Sequence, residues 1–186
     1  MTSYHKTNDH EQHHPLYGKT IIAIFPVMEH FHSRLCTQPR YRPKLHIPDR
    51  LFHIARSLNR NLVCYDANQT NGKLDTKEPI KVYWLNREME PGKTNGLSFI
   101  QKKMAYGYKV VSIAEHTCTI TLTAYPEKKL TICREGDHFV CHVTRQAILQ
   151  SLYVKASPNN PLNVEYVELQ GITTDTGVPV TEKVSK

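Results

Sequence analysis

Residues Thr117–Ala124 read TCTITLTA. Thr117, Thr119, Thr121 and Thr123 alternate with Cys118, Ile120, Leu122 and Ala124. A period of two puts the hydroxyl side chains on one face and the apolar ones on the other, the pattern of a half-buried antiparallel strand. The neighbouring stretches repeat it, so the main domain is expected to be a one-sided β meander wrapped around a core.

Downstream, Gly136-Asp137 suits a two-residue turn that pairs Glu135 with His138 and Ile132 with Cys141. Pro126-Glu127-Lys128 suits a three-residue loop that pairs Tyr125 with Lys129 and Leu122 with Ile132. Both hairpins then gather Cys118, Ile120, Leu122, Ala124, Leu130, Ile132, Phe139, Cys141 and Val143 on one face. The threonines, Cys133, Glu135, His138 and His142 fall on the other face, which is expected to be solvated.

Upstream, Leu51–Ser57 and Asn61–Ala67 read as a hairpin turning near Asn59-Arg60. A polar loop, DANQTNGKLDTKEP, leads to a strand near Ile80–Asn86. Pro91-Gly92 and Asn95-Gly96 break the chain. Leu97, Ile100 and Met104 then mark one face of a short helix over Leu97–Tyr106. Further strands are expected near 109–115, 129–135, 138–143, 147–155 and 163–172, with an edge strand at Val178–Val184. Many short strands in a meander close into a barrel or fold into a sandwich to remove their edges. The predicted fold class is therefore all-β with one short helix, an antiparallel meander closed as a lipocalin-like barrel or a sandwich.

At 186 residues with 39% hydrophobic content, the chain suits one domain over 48–186 plus a leader over 1–47. That leader holds seven of the eleven histidines and four of the eleven prolines without sustained periodicity, and is expected to be largely disordered. Its histidines would bind metal ions only adventitiously. The formal charge of +7 is uneven, the main domain carrying only 18 − 14 = +4 without a Lys/Arg run or an arginine-rich stripe, so nucleic acid is not an expected partner. Ile21–Met28 is eight residues long and contains Pro26, too short to span a bilayer. Its length suits a signal-peptide core, yet the following EHFHSRL offers no small-residue cleavage site. Five cysteines, at 36, 64, 118, 133 and 141, show no C-x-x-C spacing and read as buried thiols.

Several patterns resemble reactive sites and fail on spacing. The Asp66 loop is one residue too long for an EF-hand when Gly72 and Glu78 are aligned to it. Gly92-Lys93-Thr94 ends like a phosphate loop, but Arg87 stands where the earlier glycine belongs. His53 and Asp66 are placed opposite each other without an assignable nucleophile. Cys133, Glu135, His138 and His142 share a face, but four ligands on so shallow a surface would be splayed, so no metal site and no cofactor are expected. Arg134 and His116 interrupt the inward apolar pattern near one end of the sheet. There they would suit an anionic head group above an apolar pocket. Tyr65, Trp84 and Tyr108 supply amphipathic rings for its walls.

The stretches LNRNLVCYDAN, GKLDTKEPIKVYWLNRE, SFIQKKMAYGYKVV, QAILQSLYVKA and VEYVELQGI resemble an uncharacterised family of exported Bacteroides-type proteins, domain of unknown function 4833. The resemblance covers about Leu51–Lys183. It implies an extracytoplasmic location, in the periplasm or cell envelope, and no particular activity or catalytic residues. A cytoplasmic location is the alternative, since no intact signal peptide is visible. The reading is a non-enzymatic binding protein for a small amphipathic or anionic ligand, with no transmembrane segment. The alternative is a structural or interaction module using an exposed sheet face or edge.

Overall fold

The computed structural model describes residues 49–185, and the expectation for the leader lies outside them. Alternating sequence has become strand almost throughout. The strands are β1 (Arg50–Arg56), β2 (Asn59–Ala67), β3 (Gln69–Thr70), β4 (Lys73–Leu74), β5 (Ile80–Leu85), β6 (Thr94–Gly96), β7 (Tyr108–Ala114), β8 (Thr117–Leu122), β9 (Tyr125–Glu135), β10 (His138–Thr144), β11 (Ala147–Ser157), β12 (Asn160–Thr173) and β13 (Pro179–Ser185). One short helix, α1 (Phe99–Gln101), continues into a π-helical turn over Lys102–Tyr106. Ser98 and Gln101 form a capping box that starts it.

Eleven of the strands form one large sheet curled into a half-barrel, and β3 and β4 form a separate two-stranded sheet. Strands β7 to β13 run as a continuous antiparallel meander, and β6-β5-β2-β1 form a second antiparallel group. The joint between them is parallel: His53–Arg56 of β1 lie beside Ser151–Val154 of β11. A purely antiparallel sheet is thus corrected at this one seam. β10 pairs with the start of β11 and β1 with its later half, so the two groups diverge from one long strand and face each other across the core.

That core is the predicted apolar face joined to its counterpart on β1, β2 and β5. Cys118, Ile120, Leu122, Leu130, Ile132, Phe139, Cys141 and Val143 are buried against Phe52, Val63, Tyr65 and Ile80. Phe52 and Tyr65 stack with ring centroids 4.4 Å apart, and full burial of side chains this size contributes about 1.5–3 kcal/mol each. Ala124 is the exception. The β8–β9 turn is Thr123-Ala124, with Leu122 opposite Tyr125 and Cys118 opposite Ile132, and Ala124 is exposed. A register shift between Thr121 and Leu122 absorbs the difference, so the shorter loop changes pairing partners but keeps the faces. The Gly136-Asp137 turn has the predicted register, Glu135 opposite His138 and Ile132 opposite Cys141.

Two further corrections concern what each face meets. Ile100 and Met104 are exposed, while Leu97 and Tyr106 are buried in the core and Ala105 packs against it. The expected helix face breaks because only three residues are α-helical before the turn widens. The face carrying Thr119, Cys133 and His142 is not solvated at these positions: all three are buried.

Candidate functional site

The polar loop after β2 folds back as the β3–β4 hairpin on Asn71-Gly72, both residues having left-handed φ (53° and 75°). That conformation gives a two-residue turn whose twist matches its strands. Leu74 from this hairpin is buried in the core, and its N–H donates to the Glu115 carbonyl at 2.8 Å. The hairpin therefore plugs one end of the half-barrel.

Arg134 and His116 meet there. The Arg134 N–H donates to the His116 carbonyl at 3.0 Å, and His116 Nδ1 lies 3.0 Å from the Gly72 carbonyl oxygen. Arg134 Nη1 donates to that same oxygen at 3.4 Å and Nε donates to the Gly136 carbonyl at 3.0 Å. A Cβ on Gly72 would stand 2.5 Å from Arg134 Nη1. The two residues singled out in the sequence share one end of the sheet, where they clamp the plug by its backbone.

The three rings proposed as pocket walls lie elsewhere. Tyr65 is fully buried and its hydroxyl donates to the Tyr106 carbonyl at 2.7 Å. Burial pushes its ionisation far above the ordinary tyrosine range. Trp84 packs edge-on against Tyr106 and its Nε1–H donates to Gln101 Oε1 at 3.3 Å. The Tyr108 hydroxyl donates to the Ile80 carbonyl at 3.0 Å, and burial pushes its pKa up to about 12. These rings belong to core packing and to the seating of the helical turn, and each polar tip is hydrogen-bonded to a neighbour. The structure does not bring them together with Arg134 and His116.

Two clusters differ from the sequence expectations, one that the sequence did not mark and one that it marked as splayed and wet. One is a cleft of about 590 Å³ beside the β1–β2 turn, where Arg56, Arg60 and Arg87 converge over Ala55 and Leu62. Glu88 is the carboxylate among the lining residues, and its Oε1 lies 3.3 Å from Arg60 Nε in a solvent-exposed pair. Arg56 Nη1 donates to the Tyr106 hydroxyl at 3.1 Å, which fixes that guanidinium at the cleft wall. The three arginines come from the end of β1, the start of β2 and the loop after β5, so only the pairing of three strands assembles them.

The other lies on the face of β9 and β10 expected to be wet. Glu135 Oε1 and His142 Nε2 are 2.8 Å apart. Cys133 lies between them in register, opposite Val140, while Glu135 faces His138 and His142 faces Thr131. Sulfur, imidazole nitrogen and carboxylate oxygen fall within 4.8 Å of one another. Cys133 is 0% and His142 3% exposed, and His142 Nδ1 is buried without a hydrogen-bond partner. Leaving such an atom unsatisfied costs about 1–3 kcal/mol. The shared face was legible from alternation; the burial was not.

Elsewhere the reactive readings dissolve. Asp66 is taken up by the Arg50 guanidinium and by the Tyr83 hydroxyl, and His53 stands opposite Cys64 rather than Asp66. Burial pushes the Cys64 and Cys118 thiols up to about 11 and Cys141 higher still, the reverse of what a nucleophile needs. Among the described residues no helix is long and apolar enough to cross a membrane.

A family model described as a domain of unknown function (DUF4833) matches residues 52–183. Neither the curated proteins nor the solved structures yield a match.

Proposed function

The chain belongs to the DUF4833 family, and we propose that it is a non-enzymatic binding protein for a small anionic or amphipathic ligand. The ligand occupies the cleft beside the β1–β2 turn. The observation that carries this reading is the convergence of Arg56, Arg60 and Arg87 on one cleft of about 590 Å³. Guanidinium groups present planar donor forks that fit carboxylate and phosphate oxygens. Ala55 and Leu62 line the same cleft, and Leu58 at the adjoining turn is exposed. They offer apolar surface to a ligand with a short tail. Arg134 and His116, committed to the Gly72 carbonyl, are assigned to holding the plug. The resemblance to exported proteins supports an extracytoplasmic site of action, which cell fractionation would test.

Calorimetric titration with inorganic phosphate and with dodecanoate tests the cleft. Arg60→Ala and Arg87→Ala are each expected to weaken the anion that binds by about tenfold, equivalent to about 1.4 kcal/mol, without loss of folding. If neither anion binds, or both variants bind as the parent does, the cleft is not the site.

A second reading has its own support. Strand β7 pairs with β8 alone among the described residues, and Val110 and Val111 on it are exposed together with Phe99, Ile100 and Met104. An edge with apolar side chains is a template for strand addition by a protein partner. Lys substitution at Val111 would abolish association through that edge and leave anion binding unchanged.

A further inference from the structure

A buried thiol and imidazole beside a half-buried carboxylate need a reason. Glu135 and His142 reach toward each other over Cys133, and all three side chains are held on two regularly paired strands. Packing alone does not account for them, since an apolar trio of similar size would avoid the desolvation of the Glu135–His142 pair. A pair serving only as an ion bridge would not explain why a soft sulfur lies within 4.8 Å of both partners.

We propose that Cys133, Glu135 and His142 form a binding site for a divalent transition-metal ion of the zinc class. Zinc accepts sulfur at about 2.3 Å and nitrogen or oxygen at about 2.0–2.2 Å in tetrahedral geometry. Donors around such a centre stand about 3.3–3.8 Å apart, so the ion is seated when the 2.8 Å Glu135–His142 pair opens slightly and the sulfur, within 4.8 Å of both, closes on it. The thiol gives its proton to solvent on binding. The hydrogen between His142 Nε2 and Glu135 Oε1 leaves that nitrogen, the neutral imidazole carrying its proton on Nδ1, and their hydrogen bond is replaced by two bonds to the metal. Thiolate and imidazole exclude calcium and magnesium, which take oxygen ligands. Three protein ligands leave a fourth position for water or an exogenous group. The stiffness of a two-residue hairpin makes the site preformed rather than assembled from loops.

Seven histidines and Cys36 in the first 47 residues would also attract metal, so the probe must report the thiolate of Cys133 itself. The full-length chain carrying Cys36→Ser, stripped with a chelator, is titrated with cobalt(II). One equivalent is expected to raise a near-ultraviolet thiolate-to-cobalt charge-transfer band. Cys133→Ser in that background should remove the band and weaken zinc at least tenfold in chelator competition. Cys64, Cys118 and Cys141 remain present as internal controls. Glu135→Gln, a near-isosteric change, should keep the band and weaken zinc about fivefold or more, and it carries the test if Cys133→Ser does not fold. No band in the folded Cys36→Ser chain, a band that survives Cys133→Ser, or zinc affinity unmoved by Glu135→Gln would overturn the assignment.

Discussion

Arg134 and Cys133 are neighbours in the chain and opposites in the fold. Arg134 shares a face with Leu130 and Ile132, the face alternation marks as interior, yet it is part-exposed and spends its donors on the Gly72 and Gly136 carbonyls. Cys133 shares a face with Glu135 and the threonines, the face alternation marks as wet, yet it is fully buried beside His142. Period-two patterning decides which side chains travel together. It does not decide what covers each side. Near the end of a curled sheet the interior runs out, and elsewhere the second side can be closed off as well.

The largest effect expected from this contrast is on the interior face. Ile132 and Leu122 are buried in the main core, so Ile132→Asp or Leu122→Asp puts an unpaired carboxylate where its desolvation costs several kcal/mol. Both variants should lose the cooperative unfolding transition in circular dichroism. Thr121→Asp, on the half-buried opposite face, should keep it, with a change of about 1 kcal/mol or less. A folded Ile132→Asp and an unfolded Thr121→Asp would mean the two faces have been exchanged.

A middle-sized effect belongs to the clamp. Arg134→Ala removes two hydrogen bonds from a charged donor, one of them long. Part exposure brings the expected loss down to about 1 kcal/mol. Amide exchange across residues 69–74 should quicken more than exchange in β9 itself, because the plug is what Arg134 holds. Gly72→Ala forces a left-handed residue to carry a Cβ and drives that Cβ into the guanidinium. In the Arg134→Ala background only the first penalty remains, so the two changes should be less than additive. Strict additivity in urea denaturation would break the link between the plug and the strand end.

Much of this fold was legible because its signals are local. The Gly136-Asp137 register, the shared face of Cys118, Ile120 and Ile132, and the edge strand over Val178–Val184 all follow from turn chemistry and alternation. Tyr125 pairs with Leu122 rather than Lys129 because Thr123-Ala124 makes the turn while carrying no signal as strong as Pro126, and the bulge beside Leu122 compensates for it. The parallel seam of β1 on β11 joins residues about a hundred positions apart and leaves no mark in either strand. A shorter separation hid the cleft, since Arg87 joins Arg56 and Arg60 only after β5 has paired with β2. For Cys133, Glu135 and His142 the grouping was visible and the setting was not.

The smallest effect asks whether the face opposite the core is dry in the other half of the sheet too. His53 on β1 stands across from Cys64, which is fully buried, and beside Ser151 of β11. Burial first, then the charges of Arg50 and Arg87, hold its pKa below the ordinary 6.5. The unfolded chain therefore takes up a proton at His53 at a higher pH than the folded one does. Stability from this residue is fully present above about 6.5 and is lost as pH falls through that value toward the lower folded pKa. Urea midpoints should drop between about pH 7 and about pH 5.5 in the parent. His53→Gln, which cannot be protonated there, should show a shallower drop, by less than the clamp variant loses. If the two profiles coincide, His53 is hydrated in the folded chain, and the closure of the outer face over Cys64 does not extend to β1.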